Sequence, residues 1–415
     1  MAEVYHFVFS WMDRYQGYII HCMALFILIA GLGYSIYLGN NLTYPDAQRY
    51  YAIAVNVASG NGYSMNGTDP TSYFTPAYPL FLALFIKCGA SIIVLRYLNF
   101  IILALSVYTV RSIVKSSNAG AGAPLSAALL VGYGVLFYTA GTLYTQTLYT
   151  LLLLLHIRLA IVPDFSYRHA VLLGILSAAI IMVHPTGVLI PPLIVLWLLF
   201  PRNYHIIGKG TVGALVAVVC ISPWAYRNYT TFDKFIPITS HGADSLYVGN
   251  NPDYKISAWY EYTEHDAYRE ANLLPVEEQN RYYLKKIVEF WTQQPGAAAK
   301  LYLLKLVDYF NYRNNISTSS ESSTFRDTIM FVTYYPLLLC LVLRLLFAAK
   351  IPLSRTETLL VAIYLVSALF HAVFIPRIRL RLPYDVVLIA HIGIMFSLAK
   401  DRIVKPEAQP DTVVR

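Results

Sequence analysis

The chain has 415 residues, of which 57% are hydrophobic and only 13% charged, and its formal net charge is +8. That composition excludes an ordinary soluble domain and defines an all-α polytopic membrane protein. The excess of Lys and Arg reads as membrane orientation rather than a nucleic-acid footprint, so a lipid bilayer is the expected partner and nucleic acid is not.

Apolar segments near the roughly 20 residues needed to cross a bilayer fall at 17–38, 92–114, 123–141, 143–162, 168–184, 186–201, 209–227, 326–348, 355–374 and 383–400. They predict about ten transmembrane helices. The first run lies behind Asp13 and Arg14 without a small-residue cleavage site, which predicts a retained helix rather than a removable leader. Cys22, Cys88, Cys220 and Cys340 stand in apolar stretches with no CxxC spacing, so buried thiols are expected, not disulfides or a zinc site.

Between the first two crossings lies a loop, 39–91, whose polar part runs from Asn41 to Pro79. Pro45 cannot lie inside a helix and aspartate can cap one, which predicts a helix starting at Asp46. Ala47, Tyr50, Tyr51, Ala54, Val55 and Ala58 recur at helical spacing, as in an amphipathic helix along the membrane surface. Asp46 is therefore either a cap or a functional acid. The run from Tyr78 to Ile93 is ambiguous. Laid on the surface, it places Arg111 with Lys115, Arg202 with Lys209, Arg344 with Lys350 and Arg355, and the tail with Lys400, Arg402 and Lys405 in the cytoplasm, as the positive-inside bias favours.

This topology divides the chain into a transmembrane core, 1–227, an outer insert with amphipathic helices, 228–325, C-terminal transmembrane helices, 326–400, and a cytoplasmic tail, 401–415. Within the insert, surface helices from Glu277 to about Asn311 break at Pro295-Gly296. Glu261, Glu264, His265 and Asp266 read as a solvated helix face more simply than as a metal site. Tyrosine is abundant, at 35 residues, and suits both an interfacial belt and stacking on sugar.

Arg377, Arg379 and Arg381 alternate with Ile378 and Leu380. In an extended segment all three point one way, an arrangement that suits a phosphate, to which guanidinium gives forked hydrogen bonds. Snorkelling to lipid head groups is the other reading. Arg227 carries the same two readings. His184, at a helix end, is either a satisfied structural histidine or a donor to phosphate or sugar.

Taken in order, Pro45-Asp46 with Arg49-Tyr50, Pro76-Ala77-Tyr78-Pro79, Tyr144-Thr145-Gln146, His184-Pro185-Thr186-Gly187, Pro223-Trp224-Ala225-Tyr226-Arg227-Asn228, Leu246 to Pro252 and Arg379-Leu380-Arg381-Leu382-Pro383 resemble the GT-C superfamily of polyprenyl-phosphate-sugar-dependent glycosyltransferases. The likeness is greatest to the bacterial group with the lipid A aminoarabinose transferase and relatives of protein O-mannosyltransferases. The resemblance implies a GT-C fold, a polyprenyl-phosphate-linked sugar as donor, an acceptor of unspecified kind, and a site on the periplasmic side of a bacterial inner membrane. It implies that Asp46 is the catalytic base, that Arg379 and Arg381, with Arg227 and His184 behind them, hold the donor phosphate, and that Arg49, Tyr50, Tyr78, Gln146 and Arg377 contact substrate. No cofactor is expected. Gln146 stands where relatives carry a carboxylate, which puts a divalent metal in doubt, and His184 stands where they carry Arg or Lys. A flippase for a lipid-linked sugar and an inactive GT-C-like scaffold are the competing readings.

Overall fold

Tyr44-Pro45, Pro76, Gly89, Pro185 and Pro295 punctuate an otherwise helical chain, and the computed structural model describes residues 2–117, 120–200, 204–254, 266–313 and 324–404. Glu261, Glu264, His265, Arg202 and Lys405 lie outside the described residues. Among the described residues, five helices are long and apolar enough to cross a membrane: Arg14–Leu38 within α1 (Ala2–Leu38), α4 (Ile92–Ser116), α10 (His205–Phe232), α15 (Thr324–Leu346) and Ile378–Ala399 within α17 (Ile378–Val404). A sixth span is the pair α5 (Ala123–Gly132) and α6 (Gly134–Ala140), bent by 61°. The bend falls at Tyr133 in Gly132-Tyr133-Gly134, and the Tyr133 hydroxyl donates to Asp385 Oδ2 at 2.6 Å. Shorter helices are α7 (Gln146–Ala160), α8 (Tyr167–Val183), α9 (Ile190–Leu199) after a 3-10 turn (Pro185–Leu189), and α16 (Arg355–His371). Each apolar segment read from the sequence thus coincides with a helix or bent pair, but five or six, not ten, are long and apolar enough to cross a membrane among the described residues, and the protein is an integral membrane protein.

The ambiguous run resolves into α3 (Ala77–Lys87), 11 residues long. At 1.5 Å per residue it extends roughly 16 Å, too short for a hydrocarbon core of about 30 Å. It packs instead on α2 (Pro45–Ala58) through Ala47, Tyr50, Ala54, Tyr78, Leu82 and Ala83.

At the centre of the bundle α17 is buried along most of its length, and it packs on α4, α5, α7, α15 and α16. Small residues permit the approach. A Cβ on Gly122 would lie 1.8 Å from the Gly393 carbonyl oxygen, and the Gly122 amide donates to Ser397 Oγ at 2.7 Å. Helices α8 and α10 meet in the same way at Gly174 and Gly213. Most of α10 is otherwise exposed, as a lipid-facing helix is. The cysteines depart from expectation for that reason: Cys22, Cys88 and Cys220 are exposed and Cys340 is half-buried, all four as free thiols. In a membrane protein an apolar stretch need not face the core.

The described part of the insert contains α11 (Ala243–Val248), α12 (Asp266–Asn272), α13 (Val276–Gln293) and α14 (Pro295–Tyr309) around a small core of Tyr247, Val248, Ala267, Ala271, Tyr283 and Ile287. It is fastened to the turn after α16. Lys305, fully buried, donates to the carbonyls of Gly249 (2.5 Å), Phe374 (3.0 Å) and Val373 (3.3 Å), and Asn250 Nδ2 donates to Val373 O at 2.7 Å.

Candidate active site

The first outer loop, the turn between α8 and α9, the end of α10 and the start of α17 meet at one end of the bundle. Thr75 Oγ1 donates to Val183 O at 2.9 Å, and Arg227 Nη1 donates to Thr71 O at 2.9 Å. Helix α2 begins one residue earlier than the sequence suggests, with Pro45 in its first turn, where the missing N–H costs nothing, and Tyr44 as an N-cap without a side-chain bond. Asp46 is not the cap. Its Oδ2 lies 2.8 Å from Arg379 Nη1 and its Oδ1 3.9 Å from Arg49 Nη1. Burial pushes the Asp46 carboxyl up, but Arg379, with Arg377 and Arg49 adding, holds it below the usual carboxylate range.

Arg379 lies over the ring of Tyr144, 5.0 Å from its centroid. Tyr144 follows Leu143, whose φ of 55° is a left-handed conformation that costs a residue with a Cβ. The Tyr144 ring packs on Tyr44 at 5.6 Å, and Tyr44 and Tyr138 join hydroxyl to hydroxyl. An aromatic floor therefore backs the Asp46–Arg379 pair. The sequence does not single out Tyr144 and Tyr138, although Tyr144 stands inside one of its motifs.

The structure gives Arg381, Arg227 and His184 protein partners. Residues 378–381 are helical, not extended, so Arg379 and Arg381 point about 200° apart, at 100° per residue. Arg381 turns inward: it is 1% exposed, its Nε donates to Asp385 Oδ2 at 3.2 Å, its Nη1 donates to the carbonyls of Asn311 (2.7 Å) and Tyr309, and its guanidinium sits 3.6 Å from the centroid of Tyr334. It clasps the end of α14 to α17. Arg227 is spent on backbone and side-chain acceptors, Thr71 O, Tyr63 O at 3.2 Å and Asn228 Oδ1 at 2.9 Å, with its guanidinium 5.1 Å from the Trp224 ring centroid. Its role is to pin residues 63–71. His184 Nδ1 accepts from the Thr186 amide and bonds its hydroxyl at 2.9 Å.

Arg377, just before α17, adds positive charge near Asp46. Tyr50 is buried between Phe74 (4.9 Å) and Tyr78 (5.6 Å), and Tyr78 is fully buried with its hydroxyl accepting from Asn99 Nδ2 at 3.2 Å. Both tyrosines support the loop from within. Gln146 opens α7, buried, and its Oε1 has no hydrogen-bond partner. Among the described residues no group of three or more His, Cys, Asp or Glu comes together, and the neighbours of Asp46 are guanidinium groups rather than further carboxylates.

Among the solved structures that the chain resembles in fold are two complexes with a lipid phosphate. The archaeal oligosaccharyltransferase AglB from Archaeoglobus fulgidus, in complex with an inhibitory peptide and a dolichol-phosphate, aligns over 94% of this chain at 13% identity with a TM-score of 0.54. The chain spans about half of that protein, 51%. ArnT from Cupriavidus metallidurans, bound to undecaprenyl phosphate, aligns over 94% of this chain and 80% of its own, at 14% identity and a TM-score of 0.46. No family model and no curated protein matches the sequence.

Proposed function

We propose that the protein is an inverting glycosyltransferase that moves a sugar from a polyprenyl-phosphate donor to an acceptor hydroxyl, with Asp46 as the base. The observation that carries this reading is the Asp46–Arg379 pair at 2.8 Å: a carboxylate and a phosphate-competent cation joined at one end of a membrane bundle. The fold shared with a polyprenyl-lipid-bound transferase is consistent with it. In the reaction the acceptor oxygen bonds to the anomeric carbon, the bond from that carbon to the phosphate oxygen breaks with its electrons passing to the phosphate, and the acceptor proton passes to Asp46. The leaving group is a stable phosphate, so the task of the protein is to place a base and to offer cations to the developing charge.

The resting pair also gives an order to these events. Paired to Arg379, Asp46 is a weak base. A donor phosphate that engages Arg379 and Arg377 competes for the guanidinium that holds the carboxylate, and burial then raises the affinity of Asp46 for a proton. Arg379 and Arg377 are the phosphate-binding residues in this reading. We place the site on the periplasmic face of a bacterial inner membrane, where the cation-rich loops at the opposite ends of the helices face the cytoplasm. Incubating the purified protein with a polyprenyl-phosphate sugar tests the reading, with release of free polyprenyl phosphate as the signal. A flippase leaves that bond intact.

A further inference from the structure

Beside the Asp46–Arg379 pair lies a second polar cluster, for which the transfer chemistry has no use. After α10 the chain returns along the first outer loop: the Ser240 amide donates to Ser72 O at 2.9 Å, Thr239 Oγ1 donates to Tyr73 O, and Trp224 Nε1 donates to Ile238 O at 2.7 Å. This return lays the His241 imidazole on the ring of Tyr73, with centroids 4.0 Å apart and planes 27° apart. His241 Nε2 lies 2.8 Å from Ser245 Oγ and 3.3 Å from the Tyr73 hydroxyl, and His241 Nδ1 pairs with Asp244 Oδ2. The His241 and Asp244 side chains are 21% and 20% exposed, open enough for a ligand to reach. Tyr73 packs on Phe74 and Phe74 on Tyr50, each with ring centroids 4.9 Å apart, and Tyr50 stands one turn along α2 from Asp46, so the cluster adjoins the proposed base.

We propose that Tyr73, His241, Asp244 and Ser245 form the acceptor subsite and that it takes a sugar hydroxyl. The inference rests on the glycosyltransferase reading. The histidine–carboxylate pair already holds an alcohol at Ser245 Oγ, and Ser245 Oγ can in turn bond an acceptor hydroxyl beside it. The cluster offers a phenol, an imidazole, a hydroxyl and a carboxylate side by side, a set that matches several adjacent hydroxyls of a sugar ring. The Asp244 carboxylate opposes an anionic ligand, which keeps a second phosphate away from this side and leaves the donor to Arg379. A serine or threonine acceptor in a protein would present one hydroxyl to four polar groups.

The test uses the full chain in lipid nanodiscs with methyl β-glucoside as the probe acceptor. Saturation-transfer NMR reads its binding, and release of polyprenyl phosphate from a decaprenyl-phosphate hexose reads turnover. Wild type should show saturation transfer, and His241→Ala and Ser245→Ala should each weaken it at least tenfold. In turnover the same variants should raise the KM for the glucoside about tenfold and move the KM for the donor less than twofold. Asp244→Asn, which keeps the size and a hydrogen bond, guards against a folding defect and should show the same split. Equal binding by wild type and all three variants, or binding of a serine peptide in place of the glucoside, overturns the assignment. Glucoside binding that depends on these residues in a protein that never cleaves the donor supports the subsite and defeats the transferase reading beneath it.

Discussion

Arg379, on the first turn of the last described helix, places its guanidinium 2.8 Å from the carboxylate of Asp46, in the first turn of α2. The pair joins a helix near residue 46 to the last described helix and sets opposite charges side by side. Each partner sets the electrostatic environment of the other, so a change at either one is felt at both.

Removing the carboxylate charge while keeping its shape should stop transfer. Asp46→Asn is expected to lower turnover by about 10²- to 10⁴-fold, the usual worth of a positioned base, with cooperative thermal unfolding of the bundle retained. Arg379→Lys should raise the donor KM even though the charge is kept, since an ammonium cannot make the forked contact. Steady-state kinetics of the two variants check both outcomes.

The pH dependence has a definite sign. Asp46 is held below the usual carboxylate range by Arg379, Arg377 and Arg49, so it stays ionised throughout the neutral range. Its contribution to stability is present above the pKa of an unfolded aspartate and is lost as pH falls through the lower folded value. In Arg379→Ala, burial is opposed by fewer charges, so the acid limb of the kcat/KM profile for residual activity should move to higher pH.

Arg381 should behave as a structural residue. Arg381→Met leaves Asp385 buried without its ion-pair partner, and breaking a buried pair in this way costs roughly 3–5 kcal/mol. The variant should unfold at much lower temperature in detergent, whereas Arg379→Ala should not. Replacing both partners, Arg381→Met with Asp385→Leu, should recover much of the loss. Fluorescence-monitored thermal unfolding separates the three proteins.

Arg227→Met should loosen residues 63–71, because it removes the donors to Thr71 O, Tyr63 O and Asn228 Oδ1. Faster amide hydrogen exchange at residues 63–71, with the bundle unchanged, is the expected signature.

Much of the architecture was legible because a bilayer demands long apolar runs, and those runs stand out whatever their tertiary partners. The break at Tyr133 was not, since it depends on a phenol reaching Asp385 across the bundle. For Asp46 the residue pattern alone left a cap and a functional acid open, and its partner Arg379, 333 residues on, is visible only in the fold. Arg381 was misread because alternating Arg and apolar residues fit a strand as well as a helix, although Arg381 and Asp385 stand four apart, the helical spacing for an ion pair. The partners of Arg227 and Lys305 are mainly backbone carbonyls, which leave no trace in the residue pattern. The Tyr73–His241 stack joins segments far apart in sequence, and only folding shows that Ser240-His241-Gly242-Ala243-Asp244-Ser245 faces the first outer loop.

Whether Asp46 is the base of a transfer reaction is tested most directly by release of polyprenyl phosphate from a polyprenyl-phosphate sugar by the purified protein, compared between wild type and Asp46→Asn. Release by the wild type is expected, with a loss of at least about 100-fold in the variant and the donor still bound. Equal release by both proteins would contradict the assignment, removing Asp46 from the chemistry and leaving its pairing with Arg379 as a structural tie.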